Sequence, residues 1–502
     1  MVEVGSRISV EDVVAVAENR AGEVVLSQQG RAALERSRAV VEGFLADTST
    51  ATYGVNTGFG ALAEVRIDDE QLAQLQRNLV LSHAVGVGSP LDQRTTRAMM
   101  LLRAQVLSQG YSGCRPVVVE TLLKMLERGV HPKIPRKGSV GASGDLAPLA
   151  HLALVLMGEG EAEFQGTTMS GAEAMRAARI EPLVLGAKEG IALINGTQGM
   201  LAFACLAQVE AERLIATADV TGAMSLEALK GSVRPFDEAV VGARPHPGAL
   251  ASAARLRGLL EDSEIMRSHA DCDEVQDAYS LRCMPQVHGS AADMIGFVRQ
   301  VLTIEINSAT DNPLVLPDGR LQSGGNFHGQ PVAAACDAGA IAMCDLSSIA
   351  ERRIAQLIDP ALNRGLPPFL IARPGLNSGF MMAQVSAAAL VSESKQLATP
   401  NSVDTIPTSA DREDHVSMGM TAARNYAMVT AHCRHVLAIE ALAAAQGIWL
   451  RELHPGQGVK RALELLREQV PPLEEDRELH KDFAAARELM TSGAFLAAAM
   501  GE

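Results

Sequence analysis

Over much of the second half of the chain, apolar residues recur every three to four positions, the spacing of one helix face. The pattern predicts long helices over 198–229, 287–306, 331–358, 378–396 and 415–450. In the last of these, Ala422, Tyr426, Val429, Cys433 and Val436 share one stripe. Each run is long for a globular helix, and several are bounded by Pro or Gly, as at Asp359-Pro360. The runs are rich in Ala, and small side chains let helices approach closely, which suits a bundle. Earlier in the chain the pattern is more broken. Residues 9–46 read as two short helices, with Ser9 and Ser27 as N-cap candidates. Residues 53–60 carry Gly54, Gly58 and Gly60 and read as a flexible loop. Helical spacing returns over 69–107, interrupted at 83–90, and again over 116–128. Pro132, Pro135 and the glycines after them then break the chain. There is no internal repeat or low-complexity linker. These elements predict an all-α (mainly α) protein, with an N-terminal lobe over 1–200 and a bundle of long helices over 201–502.

Composition supports this reading. Aromatic residues make up only 3% of the 502 residues, so the core is built from Ala, Leu, Val, Ile and Met. That length exceeds one simple core and allows two or three lobes. The net charge of −15 argues against nucleic acid and anionic membrane as partners. Seven cysteines, odd in number and scattered without a C-x-x-C, read as buried thiols in a reducing cytoplasm. Residues 1–20 mix acids and bases with no apolar signal core, and no uninterrupted apolar run reaches the length of a membrane span. His432 and His435 are three apart on a helix, but no acid or paired-Cys motif accompanies them, so no metal is expected.

The stretch from Gly138 to His151, GSVGASGDLAPLAH, carries the most chemistry. The amide nitrogen of Gly144 can attack the carbonyl carbon of Ala142 and close a five-membered ring with loss of water. Gly144 suits this because it lacks a Cβ and tolerates unusual backbone angles. Loss of the Ser143 hydroxyl as a second water leaves a methylidene conjugated to a carbonyl, an electrophile that ordinary side chains do not supply. Asp145 is placed to cap a helix starting at Leu146, with Pro148 tolerated in its first turn. Taken alone, Ala-Ser-Gly is a glycine-rich turn before a helix. It is not a P-loop, because no Lys-Ser/Thr pair follows Gly144.

The whole run resembles the signature of the aromatic amino acid ammonia-lyases and aminomutases, which carry a methylidene-imidazolone (MIO) prosthetic group. The resemblance recurs in blocks from about Tyr53 to Gln446. It implies an all-α architecture like that of the fumarases and aspartases, and an MIO formed from Ala142, Ser143 and Gly144 with no metal or nucleotide. Elimination of ammonia needs an electrophile that turns the amine into a leaving group, a base for the β-proton and a clamp for the carboxylate. The resemblance assigns the base to Tyr53, in the block YGVNTGFG, and the carboxylate to Arg282, whose guanidinium fork suits it. In the block VQDAYSLRC it also implies site roles for Tyr279, as a hydrogen-bond donor, and for Gln276. Asn195, within LINGTQ, is implied to lie beside the prosthetic group, and Phe327, within GGNFHGQ, to form a wall of the pocket.

Two residues bear on the substrate. Family members acting on phenylalanine usually resemble Phe-Leu where this chain has Ser82-His83, and Glu413 stands where phenylalanine and tyrosine enzymes tend to have Gln or Asn. A carboxylate accepts a hydrogen bond from an imidazole N–H, so His83 with Glu413 favours L-histidine, giving trans-urocanate and ammonia. The other readings are a tyrosine or phenylalanine ammonia-lyase, an aminomutase, a lyase of the fumarase type without MIO, and an inactive helical scaffold. The long apolar helix faces predict an oligomer, and the resemblance implies a homotetramer with sites shared between subunits.

Overall fold

In the computed structural model, which describes residues 1–46, 71–270 and 275–502, the chain is mainly α-helical, with strands of two to four residues. The long helices run over Gln198–Ala228, Met284–Glu305, Gln330–Ile358, Met381–Leu397 and Gly419–Arg451, close to the segments predicted from their apolar stripes. Ala422, Tyr426, Val429, Cys433 and Val436 are all buried. The helices Gln457–Gln469, Leu479–Ser492 and Ala494–Met500 were not anticipated. The first is rich in charge and its buried stripe is narrow, only Gly458, Val459, Ala462 and Leu466. By length and composition Gln330–Ile358 could cross a membrane, but 67% of its most apolar window is buried, as in a core helix.

The chain divides into two compact units. The first comprises residues 1–209, 299–337 and 400–424. Ser9 opens the Val10–Ala17 helix with a capping box to Asp12. Ser27 accepts the Gly30 N–H at the start of Gln28–Ala46. Pro116–Arg128 begins with its proline and ends at Gly129 in the left-handed region (φ +75°). At the centre lies Gln93–Ser108, buried on every face from Thr95 onward. It packs on Val10–Ala17 and Pro116–Arg128 and takes Arg103 wholly out of solvent. The short strand Val87–Pro90 pairs antiparallel with Pro135–Lys137, and Val130–Pro132, Glu161–Phe164 and Thr167–Ser170 form a small sheet. Burial pushes the Cys114 and Cys205 thiols up to about 12, so both are inert packing groups.

The second unit comprises residues 210–298, 338–399 and 425–502. Its interior holds a chain of buried polar groups. Arg353 makes a two-pronged ion pair with Glu440, and both side chains are fully buried. Thr221 and Ser225 also donate to Glu440, at 2.7 and 2.8 Å. Nearby, Asp219 accepts from Ser252 and Arg255 and faces His288 Nδ1 at 2.7 Å.

Glu227 is a buried acid with a measurable consequence. One of its oxygens accepts from Ser263 Oγ and from the Gly456 N–H at 2.8 Å, while Oε2 has no partner among the described residues. Burial pushes its carboxyl from 4.5 up to about 7. The folded protein therefore binds this proton more tightly than the unfolded chain, so stability falls as pH rises between those two values. The decline amounts to about 3 kcal/mol at ~1.4 kcal/mol per unit. Glu227→Gln should abolish it: relative to wild type, the variant gains up to about 3 kcal/mol between roughly pH 5 and pH 8. Urea unfolding at the two pH values checks this, and a gain independent of pH would refute it.

Candidate active site

The tripeptide sits in a glycine-rich backbone cradle within the first unit. Gly138, Gly141 and Gly144 have φ of +126°, +69° and +71°, angles that disfavour any residue with a Cβ. Gly144 lies against Gly196: a Cβ there would stand 2.1 Å from the Gly196 carbonyl oxygen. The Gly196 N–H donates to the Ser143 carbonyl at 3.2 Å, and the Asp145 N–H to the Gly196 carbonyl at 2.7 Å. From the other side, Ser417 Oγ donates to the Gly141 carbonyl and the Met418 N–H to the Val140 carbonyl. Asp145 precedes the Leu146–Leu156 helix, as expected, but its side chain does not cap it. The carboxylate instead accepts from Met200 N–H at 2.7 Å and Ser139 Oγ at 2.9 Å. It thereby ties the loop to the start of the Gln198–Ala228 helix. Burial raises it to about 6 despite these donors and the Gly199 N–H.

Asn195 ends the helix Glu189–Ile194 and directly precedes Gly196. Its Nδ2 donates to Asp311 Oδ1 at 3.0 Å, and its carbonyl accepts from Arg103 Nη1 at 2.8 Å. Its Oδ1 is buried with no partner among the described residues. Asp311 also receives Lys188 Nζ at 2.9 Å, and both side chains are fully buried. Burial pulls Arg103 down to about 10. Sequence reasoning missed Arg103, Lys188 and Asp311.

The other expected residues of this unit lie on segments that reach the same loop. His83 ends the Leu72–His83 helix, its Nδ1 2.8 Å from the Leu79 carbonyl. Beyond it, Gly86 donates to His151 Nε2 at 3.1 Å, and Val87–Pro90 pairs with the strand that runs into Gly138. Phe327 is half-buried. Its neighbour His328 stacks on His415, with ring centres 5.9 Å apart and planes within 6°. This stack joins the Phe327 segment to that of Glu413. Gly329 approaches Met200 and Ser417 so closely that a Cβ would clash with both. Glu413 is half-buried, pairs through its backbone with Thr408, and accepts the Thr408 hydroxyl on Oε2 at 2.6 Å.

Gln276, Tyr279 and Arg282 belong to the second unit, where a short helix runs over Tyr279–Arg282. The turn is clamped from behind. Asp277 accepts from the Ser232 N–H at 2.6 Å and from Arg364 at 2.7 Å. Arg353 Nη1 donates to the Ser280 carbonyl at 3.3 Å, and Gln356 to Ser280 Oγ at 2.7 Å. The Arg282 guanidinium stands 4.8 Å over the Tyr279 ring, and its Nε is buried with no partner among the described residues. A cavity of about 400 Å³ opens beside the turn, bordered among the described residues by Gln276, Arg282, Arg234, Lys230, Arg364 and the acid Asp277. The cations among these described residues favour a negatively charged group. Tyr53 lies outside the described residues, as does Cys272.

Residues 8–468 match the aromatic amino acid lyase family. A histidine ammonia-lyase of Sorangium cellulosum is 54% identical over 98% of both chains. Among solved structures, a histidine ammonia-lyase from Trypanosoma cruzi is 42% identical with a TM-score of 0.92, covering 100% of this chain and 95% of its own. A tyrosine aminomutase from Streptomyces globisporus also reaches a TM-score of 0.92, at 38% identity over 100% of this chain and 98% of its own.

Proposed function

The chain belongs to the aromatic amino acid lyase family, a carbon–nitrogen lyase family, and we propose that it eliminates ammonia from L-histidine to give trans-urocanate. The observation that carries this reading is the backbone pairing of Gly144 with Gly196, beside an Asn195 whose buried amide oxygen has no partner among the described residues. The left-handed glycines and the close approach of Gly196 to Gly144 leave the tripeptide free of side-chain obstruction there, which fits formation of the MIO group. When formed, that group supplies the electrophile that makes the substrate amine a better leaving group.

The remaining work falls to side chains. Asn195 Oδ1 accepts a hydrogen bond from the substrate amine. The Arg282 fork takes the carboxylate, with Gln276 and Tyr279 beside it. The Tyr53 phenol removes the β-proton, which requires its ordinary pKa of about 10 to be lowered. His83 and Phe327 border the substrate ring, and Glu413 accepts from its imidazole N–H, with Thr408 holding the carboxylate on Oε2. Exposed Met381, Met382 and Val385 on one long helix support assembly with further copies, as a homotetramer with shared sites. The buried free cysteines fit a cytoplasmic enzyme.

Ultraviolet spectra recorded with histidine, tyrosine and phenylalanine test the reading, and product analysis for a β-amino acid tests the aminomutase alternative. Glu413→Gln should lower kcat/KM for histidine by about tenfold to a hundredfold, as expected for losing a hydrogen bond to a charged group worth roughly 1.5–3 kcal/mol. Turnover of tyrosine or phenylalanine should fall much less. A wild type that prefers tyrosine, or a variant with undiminished histidine turnover, would overturn the histidine assignment.

A further inference from the structure

We propose that the buried Lys188–Asp311 ion pair is a positioning device that locks the Asn195 amide with its oxygen, rather than its nitrogen, presented to the substrate amine. The inference rests on the lyase reading above. Asp311 Oδ2 receives Lys188 Nζ at 2.9 Å, while Oδ1 receives both Asn195 Nδ2 at 3.0 Å and the Asn312 N–H at 2.7 Å. A carboxylate only accepts, so the Asn195 amide must turn its N–H edge toward Asp311. The second N–H faces the Asn312 carbonyl at 3.4 Å. Lys188 and Asn195 flank the six-residue helix Glu189–Ile194, and one carboxylate spans it from end to end. Arg103 grips the Asn195 carbonyl, so the backbone cannot turn to release the side chain.

What remains is Asn195 Oδ1, buried and without a partner among the described residues. A buried acceptor left in that state is costly, and the cost is recovered only when a donor arrives. The substrate amine is an N–H donor and its carboxylate is not. Asn195 therefore acts as an acceptor that orients the amine. Lys188, paired with Oδ2 at 2.9 Å, holds in place the Asp311 carboxylate that enforces this orientation.

The test is the paired variant Lys188→Met, Asp311→Asn, which removes both charges, nearly keeps the volume and lets the Asn195 amide flip. Its intact mass should still fall two waters short of the encoded mass, like the wild type. Its kcat/KM for histidine should drop by about tenfold to a hundredfold. Imidazolepropionate, which lacks the amine, should compete as well as before, so only the amine-dependent part of binding is lost. In an Asn195→Ala background the same pair of changes should alter kcat/KM by less than about twofold, because the residue it acts through is gone. If the paired variant does not fold, Asp311→Asn alone serves. An unchanged rate, an equal loss in the Asn195→Ala background, equally weakened imidazolepropionate, or full activity in Asn195→Ala would each overturn the proposal. Wild-type protein inert towards histidine, tyrosine and phenylalanine alike would sink the lyase reading and this inference with it. An active wild type with an unresponsive pair would sink this inference alone.

Discussion

Ser143→Ala should leave a folded protein that has lost at least about a thousandfold in histidine turnover, on the scale seen when a covalent catalyst is removed from an enzyme. The fold should survive because the Ser143 carbonyl, not its hydroxyl, accepts from the Gly196 N–H. The change removes the oxygen that must depart as the second water, so the methylidene cannot form. Intact mass reads this directly. Wild type should fall two waters short of its encoded mass, and the variant should regain one or both. No other enzyme is needed, since every reacting atom lies in one stretch of backbone, so chain made in a purified translation system should show the same deficit. A fully active wild type at full encoded mass would refute the MIO reading.

The elements most legible in the sequence were those governed by local periodicity and by a covalent motif. The 116–128 helix begins and ends where its proline and Gly129 place it. The long helices follow their apolar stripes. The tripeptide was legible because its chemistry needs only adjacent atoms. Buried charge was not legible. Lys188 and Asp311 are 123 positions apart, Arg103 and the Asn195 carbonyl it donates to 92, and Arg353 and Glu440 87, so nothing local announces that these charges find partners inside the protein. A buried ion is tolerated only when paired, and the pairing is a property of the folded chain. Asp145 illustrates the limit from the other side. Its position was right for an N-cap, yet its carboxylate is taken by Met200 and Ser139, partners that local propensity does not weigh.

Arg282→Met should lower kcat/KM for histidine by about thirtyfold to several thousandfold, the range expected when one partner of a buried charge pair is truncated at roughly 2–5 kcal/mol. In the structure the guanidinium is stacked on Tyr279, and its Nε is buried with no partner among the described residues. The group is thus held ready, with a donor unused, beside a cavity bordered by further cations. A substrate carboxylate satisfies that donor. Arg282→Lys retains the charge but not the planar fork or the stacking, so it should recover only part of the loss. The sharper readout is discrimination. Wild type should bind histidine much more tightly than histamine, which lacks the carboxylate, and in Arg282→Met that preference should nearly vanish while histamine binding stays as it was. Near-normal kcat/KM in Arg282→Met, or an undiminished preference for the carboxylate, would reassign Arg282 to supporting the Tyr279 ring and leave the carboxylate to another of the cations around the cavity.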